Sequence, residues 1–242
     1  MTNSTPRTAL VTGASRGLGR ALAEQLAARG TEVVLLARHA NPLEEVAAGI
    51  RSRGGRAHVI AHDVGAGDAS AIAARVAALV GPLDLLIHNA STLGPLPMPE
   101  LGELRDEALV RVFEVNVLGP QRLTRALLGP MRREGRGTII TLSSDAATQA
   151  YPGWGAYGAS KAALDQLTAV LAAELEGSGL RAFAIDPGEM DTRMHADALP
   201  EADPSSLARP EAVAASVLAQ LAAEAGPTRL RVDALPAGRV SR

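Results

Sequence analysis

Thr12-Gly-Ala-Ser-Arg-Gly-Leu-Gly19 (TGASRGLG) stands between the apolar run Thr8–Thr12 and the helix-forming stretch Arg20-Ala-Leu-Ala-Glu-Gln-Leu26. Gly13, Gly17 and Gly19 permit a tight turn and a close approach of the main chain. The helix that follows aims its free N–H groups and the positive end of its dipole at whatever lies over that turn. Strand, glycine turn and helix in this order predict a seat for the pyrophosphate of a dinucleotide, and with it a parallel α/β sheet.

Outward from this turn the same alternation continues. Strands are expected at Thr8–Thr12, Glu32–Ala37, Ala57–Ala61, Leu83–Ile87, Gly137–Leu142, Arg181–Ile185 and, more weakly, Arg229–Val232, with helices starting near Gly17, Leu43, Asp68, Gly102, Pro120, Tyr157 and Pro210. Glu32–Ala37 and Leu83–Ile87 are nearly continuous apolar runs, as parallel strands buried on both faces require. The pattern predicts a doubly wound, mostly parallel sheet of about seven strands with helices on both faces. No linker or repeat divides the chain, so one domain is expected over 1–242. Two stretches, Ser91–Glu100 and Pro187–Arg209, read as loops, and 187–209 is long enough to act as a lid.

Composition narrows the chemistry. Of 242 residues, 24 are Lys or Arg and 26 Asp or Glu, for a net charge of −2, so no basic field gathers nucleic acid or anionic lipid. Cysteine is absent, which excludes disulfides, thiolate metal sites and cysteine nucleophiles, and the five histidines show no metal-ligand spacing, so no metal is expected. The polar stretch Met1 to Arg7 leads directly into the first strand. No apolar run approaches the roughly 18 to 20 residues of a membrane span, and the expected location is cytoplasmic.

The end of the second strand selects the nucleotide. An acid about 20 residues beyond the glycine turn would hold ribose hydroxyls, but Leu36-Ala37-Arg38 offers none. Arg38, with Arg16 of the glycine loop, is suited to a 2′-phosphate, so NADP(H) is expected over NAD(H). The plainer reading makes Arg38 an ordinary surface arginine. Asp63 ends the third strand as either an acceptor for an adenine amino group or a turn residue.

Tyr157 and Lys161 stand at i and i+4 on one helix face, and Lys161 is the only lysine in the chain. An ammonium beside a phenol favours the phenolate and is expected to draw Tyr157 down from about 10 toward the working range of an acid/base catalyst. Ser144, thirteen residues earlier, ends the fifth strand at the carboxyl edge of the sheet, where open α/β folds bind ligands. Asn116 sits in an apolar helical stretch, either as a satisfied core amide or as part of the site. Tyr151, Trp154 and Tyr157 fall within seven residues, and with Leu93, Leu96, Met98, Met190 and Met194 they offer an adaptable apolar substrate pocket or the support of a lid. Leu164, Leu167, Leu171 and Leu175 recur at helical spacing, as core or as a subunit face.

Taken in order, TGASRGLG at 12–19, HNAS at 88–91, Asn116, Ser143-Ser144, YGASK at 157–161 and Pro187-Gly188 with Thr192 beyond resemble the short-chain dehydrogenase/reductase family over nearly the whole chain. The resemblance implies a Rossmann-type fold and hydride transfer between NADP(H) and a small-molecule carbonyl/alcohol pair, in a homodimer or homotetramer. It implies Tyr157 as general acid/base, Ser144 polarising the substrate carbonyl, Lys161 on the nicotinamide ribose, and Asn116 holding a water that links Lys161 to solvent. The cofactor is expected on Gly13, Ser15, Arg16, Gly17, Leu18, Gly19, Arg38, Asp63, Val64, Asn89, Ala90, Tyr157, Lys161, Pro187, Gly188 and Thr192, and the substrate on Ser144, Tyr151, Trp154, Met190 and Met194. Two departures stand out. The usual Asn-Asn-Ala-Gly reads His88-Asn89-Ala90-Ser91, and the chain ends without the frequent glycine-rich finish. The rival reading from another class is a non-catalytic NADPH-binding regulator or scaffold on the same fold.

Overall fold

A computed structural model describes residues 5–222 and 228–232. Seven parallel strands form one sheet in the order β3-β2-β1-β4-β5-β6-β7: β1 Thr8–Thr12, β2 Glu32–Ala37, β3 Ala57–Ala61, β4 Leu85–His88, β5 Gly137–Leu142, β6 Leu180–Asp186 and β7 Arg229–Arg231. The helices are α1 Gly17–Ala28, α2 Ala40–Ser52, α3 Ala69–Val80, α4 Asp106–Phe113, α5 Gly119–Glu134, α6 Gly155–Glu174, α7 Arg193–Ala198 and α8 Pro210–Ala219. None of the described helices is long and apolar enough to cross a membrane. Alternate strand residues serve opposite layers. Val11, Leu35 and Ile87 pack toward α1, α2 and α8, while Leu10, Leu36 and Leu86 pack toward α3 and α5.

The expected strands are present, with β4 starting two residues later than expected and β6 extended at both ends. Val232 lies past the end of β7, but its N–H still donates to the Asp186 carbonyl. The chain end beyond Val232, on which the missing glycine-rich finish falls, lies outside the described residues. Two features depart from expectation. Residues 187–209 are not plain loop, because Thr192 caps the short helix α7 through the His195 N–H and Met190 bridges Ala208. The helices expected near 102 and 120 merge into one run, since a π-helical turn, Glu114–Leu118, joins α4 to α5. Pro120 explains the widened turn. It has no N–H to give the Asn116 carbonyl four residues back, and its ring crowds that carbonyl.

The chain order 1-2-3 runs one way from β1 and 4-5-6-7 the other, so the crevice at the carboxyl ends of β1 and β4 is the topological switch point. A latch closes that junction. The Thr12 hydroxyl accepts from the N–H groups of Asn89 and Ala90 at 3.0 Å each, and the Asn89 amide donates to the Thr12 carbonyl at 2.9 Å.

Candidate active site

The glycine turn forms one wall of the crevice. Gly13 has φ +68°, and a Cβ there would lie 2.9 Å from the Cα of Ala90; a Cβ on Gly19 would strike the Gly13 carbonyl and the Asn89 amide. Both glycines are therefore imposed by the packing of β1, α1 and the Asn89-Ala90 turn. Gly17, with φ +52°, faces Thr192 across the crevice, where an added Cβ would sit 3.3 Å from the threonine methyl. Leu18 is buried under the turn, Ser15 is half-buried, and Arg16 and Arg38 project into solvent.

Val64 and Asp63 follow β3. The Val64 carbonyl comes so close to Gly119 that a side chain there would lie 2.6 Å from it, which seats this turn on the π-helical segment. Asp63 accepts from the Gly65 N–H at 2.9 Å and pairs with Arg111 of α4, and it is held below the usual carboxylate range: burial pushes it up, but the Gly65 and Arg111 hydrogen bonds with the charges of Arg111 and Arg38 outweigh that. It is thus a turn residue with two partners, and an adenine amino group would share an oxygen with one of them.

Four elements meet around Tyr157. Its phenol is buried near the Ser144 and Ser91 hydroxyls, with Leu93, Met98, Trp154, Ala146 and Ala198 about the ring. Trp154 stacks edge-on against it at 5.7 Å between centroids, and Tyr151 continues the series at 5.9 Å from Trp154. Lys161 is buried one turn along α6, with Nζ donating to the Leu142 carbonyl at 2.7 Å and lying 5.5 Å from the centre of the Tyr157 ring. Asn116 is 1% exposed and fully engaged: it accepts from the Ser91 hydroxyl and the Thr92 N–H and donates to the Thr92 carbonyl and the Ser160 hydroxyl. It ties the turn after β4 to α6, a satisfied amide inside the site rather than apart from it.

The net fall expected for Tyr157 is reversed. Burial pushes the phenol up to about 12, the Asp145 and Asp186 charges add to the rise, and the Ser144 and Ser91 hydroxyls only partly oppose it. Burial also pushes Lys161 down to about 8, against the upward pull of Asp165 and Asp186. Burial thereby favours the phenol form of Tyr157 over the phenolate.

The departures at 88 and 91 each have a reason in the packing. His88 is buried, its Nε2 lies 2.8 Å from the Thr124 hydroxyl of α5, and desolvation pushes it down to about 3, so it stays neutral. Ser91 turns its hydroxyl toward Asn116 and Tyr157, where glycine would leave none. Ser144 donates to Asp145 at 3.0 Å, and Asp145 also accepts from Tyr151 at 2.9 Å. Pro187 and Gly188 turn at the end of β6, and the Gly188 N–H donates to Asp186 at 3.0 Å.

Among the residues expected at the substrate, Trp154 packs on Tyr157 and Tyr151 lies beyond it on Trp154, Met194 is exposed on α7, and Met190 is buried in the core layer of α1 and α8, where it supports the 187–209 segment. The periodic leucines divide: Leu164 of α6 and Leu175 just past its end are buried, while Leu167 is exposed. Thr12, Ser91, Asp145, Asp165, Asp186 and Arg229 were not singled out from sequence as site residues. Asp165, at i+4 from Lys161, and Asp186, the one acid in β6, carried a readable signal; Arg229 reaches the site only through folding.

The sequence profile of the short chain dehydrogenase family matches residues 7–203. A short chain dehydrogenase of Pseudocercospora fijiensis is 39% identical over 193 residues, which cover 78% of this chain but 62% of that protein's length, so the chain spans less than two thirds of this relative. A short chain dehydrogenase from Pseudomonas syringae superposes with a TM-score of 0.87 at 39% identity, covering 93% of each chain. A metagenomic short-chain oxidoreductase solved in complex with NADP superposes with a TM-score of 0.80 at 29% identity, covering 96% of this chain and all of that one.

Proposed function

Because the chain belongs to the short-chain dehydrogenase/reductase family, and so is an oxidoreductase, we propose that it interconverts a ketone or aldehyde and the corresponding alcohol, using NADP(H) in preference to NAD(H). The observation that carries this reading is a buried Tyr157 phenol with the Ser144 hydroxyl beside it and the lone lysine one turn away. A proton donor and a second hydroxyl aimed at one point are what a carbonyl oxygen needs as it gains charge.

The crevice fits a dinucleotide, since Gly13 and Gly19 admit no side chain, Gly17 faces Thr192, and α1 begins directly behind them. Gly13, Ser15, Arg16, Gly17, Leu18 and Gly19 would hold the pyrophosphate. Arg16 and Arg38 would take the 2′-phosphate, and Asp63 and Val64 would flank the adenine. Asn89, Ala90, Pro187, Gly188 and Thr192 would line the nicotinamide end, with Lys161 on its ribose. A bound reduced nicotinamide would supply the hydride. Ser144 gives up Asp145 as acceptor and donates instead to the substrate oxygen. Tyr157 transfers its phenolic proton to that oxygen as the alkoxide develops, and Lys161 stabilises the phenolate left behind. Residues 187–209 close over the substrate, a role supported by Ala198 of α7 packing in the cluster around Tyr157. The exposed Val110, Leu167 and Val170, with Leu118 at the end of the π-helical turn, support a homo-oligomer formed through α4 and α6.

The test is the loss of NADPH absorbance against a panel of aldehydes, ketones, diketones, quinones and pteridines, with Tyr157→Phe as the matched control. Turnover is expected to fall by roughly a thousandfold in the variant while NADPH affinity stays the same. A variant that kept most of its activity would remove Tyr157 from the acid/base role.

A further inference from the structure

Behind Ser144 and Lys161 lies a charged cluster that the mechanism above does not use. Arg229, on the last described strand, donates through Nε to Asp165 at 2.8 Å and through Nη2 to the main-chain carbonyl of Ser144 at 2.9 Å, and the same Nη2 lies 3.5 Å from Asp186. Asp165 also accepts from the Ser143 hydroxyl at 2.7 Å, and Asp186 also holds the Gly188 N–H and stands 3.9 Å from Arg231. One guanidinium from β7 thus grips the serine's backbone and two carboxylates on α6 and β6. Those carboxylates are 13% and 3% exposed, and unpaired charges so placed are costly.

We propose that Arg229 is a positioning residue of the active site: its planar fork fixes the main chain that carries Ser144, and its charge offsets Asp165 and Asp186, the two carboxylates that act on Lys161. The role rests on the acid/base reading of Tyr157 and Lys161. Geometry alone supports the first half, because a donor on the Ser144 carbonyl fixes where the strand ends and its hydroxyl begins. The second half follows from the groups that face Lys161. Asp165 on its own helix and Asp186 on β6 both favour its ammonium form, and Arg229, ion-paired with both, is placed to offset them, with Arg231 farther out at 3.9 Å from Asp186.

The single lysine makes a direct test possible, since protein labelled at the lysine ε-carbon gives one side-chain NMR signal whose titration is that of Lys161. The wild-type midpoint is expected at about 8. Arg229→Met removes the offsetting charge and should raise it. Asp165→Asn removes a favouring carboxylate and should lower it, a direction that unfolding cannot mimic, because an unfolded lysine titrates higher. In turnover, Arg229→Met should lose roughly tenfold or more in kcat with NADPH affinity retained, and Arg229→Lys should recover part of the loss. An unchanged Lys161 midpoint in Arg229→Met, or equal loss of kcat and NADPH binding with no recovery by Arg229→Lys, overturns the inference. The titration needs no turnover, so it fails independently of the reaction; retained activity in Tyr157→Phe would sink the acid/base reading alone.

Discussion

The two walls of the crevice are built by opposite means. On the β1 side the polar groups on offer are main-chain N–H groups at the head of α1, the shape comes from side chains left out at Gly13 and Gly19, and the long side chains of Arg16 and Arg38 stand in solvent. On the β5 side nearly every polar group is a buried side chain held by another: Asn116 on Ser91, Thr92 and Ser160, Lys161 on Leu142, Asp165 on Ser143 and Arg229. A wall made of backbone and absent side chains fails by steric intrusion and recognises charge weakly through exposed cations. A wall made of buried titratable groups fails by losing one partner, and it feels pH.

The largest effect should come from breaking the second wall at its centre. Ser144→Ala removes the hydroxyl that the proposed reaction aims at the reacting oxygen and is expected to cost roughly a hundredfold to a thousandfold in kcat. NADPH affinity, measured by fluorescence, should be little changed, because the serine lies away from the glycine turn. Equal losses in both would mean that the two walls are not separable. The matching insult to the first wall is Gly13→Ala, which forces a side chain into a left-handed conformation and within 2.9 Å of a backbone atom. About 3 kcal/mol of strain is expected, read as weaker NADPH binding together with a lower Tm.

The two walls also differ in how far the sequence alone could describe them. The glycine wall was legible because its physics is local: three glycines, a strand before and a helix after fix the turn within eight residues, and α1 begins at Gly17 as expected. The i and i+4 spacing of Tyr157 and Lys161 was legible for the same reason. The protonation balance was not. A spacing shows that an ammonium is near a phenol, whereas the desolvation that pushes Tyr157 up comes from Leu93, Trp154 and Ala198, each brought in by a different segment. Arg229 belongs to the same class, since 85 residues of chain separate it from the carbonyl it holds. The π-helical turn was hidden because Pro120 looks like a helix start until the residues before it are also seen to be helical.

The buried wall should betray itself in acid. His88 titrates at about 3 in the folded protein against an ordinary value of 6.5, so as pH falls the unfolded chain takes up its proton first. Stability from this group is complete above pH 6.5 and drains away between there and about 3, by about 2 kcal/mol at pH 5. His88→Asn, which restores the residue usual for the family, should flatten the fall in Tm between pH 7 and pH 5. An equal slope in the two proteins would place the acid sensitivity elsewhere.

The smallest effect tests whether the exposed wall has any selectivity at all. Arg38 and Arg16 are solvent-exposed, and a charge in water is screened, so a 2′-phosphate held only by them gains little compared with one in a closed pocket. Arg38→Asp should shift the ratio of NADPH to NADH affinity by about tenfold toward NADH, partly by repelling the phosphate and partly because a carboxylate there can accept from ribose hydroxyls. Tm should change little, because Arg38 is exposed and its charge is the smallest of the causes acting on Asp63. A second titration in high salt separates the two contributions: repulsion of the phosphate fades as ions screen it, while hydrogen bonds to the ribose persist. If the ratio is unchanged at low salt, nucleotide choice is made by the shape of the β2 and β3 turns, and the exposed wall discriminates by steric means alone.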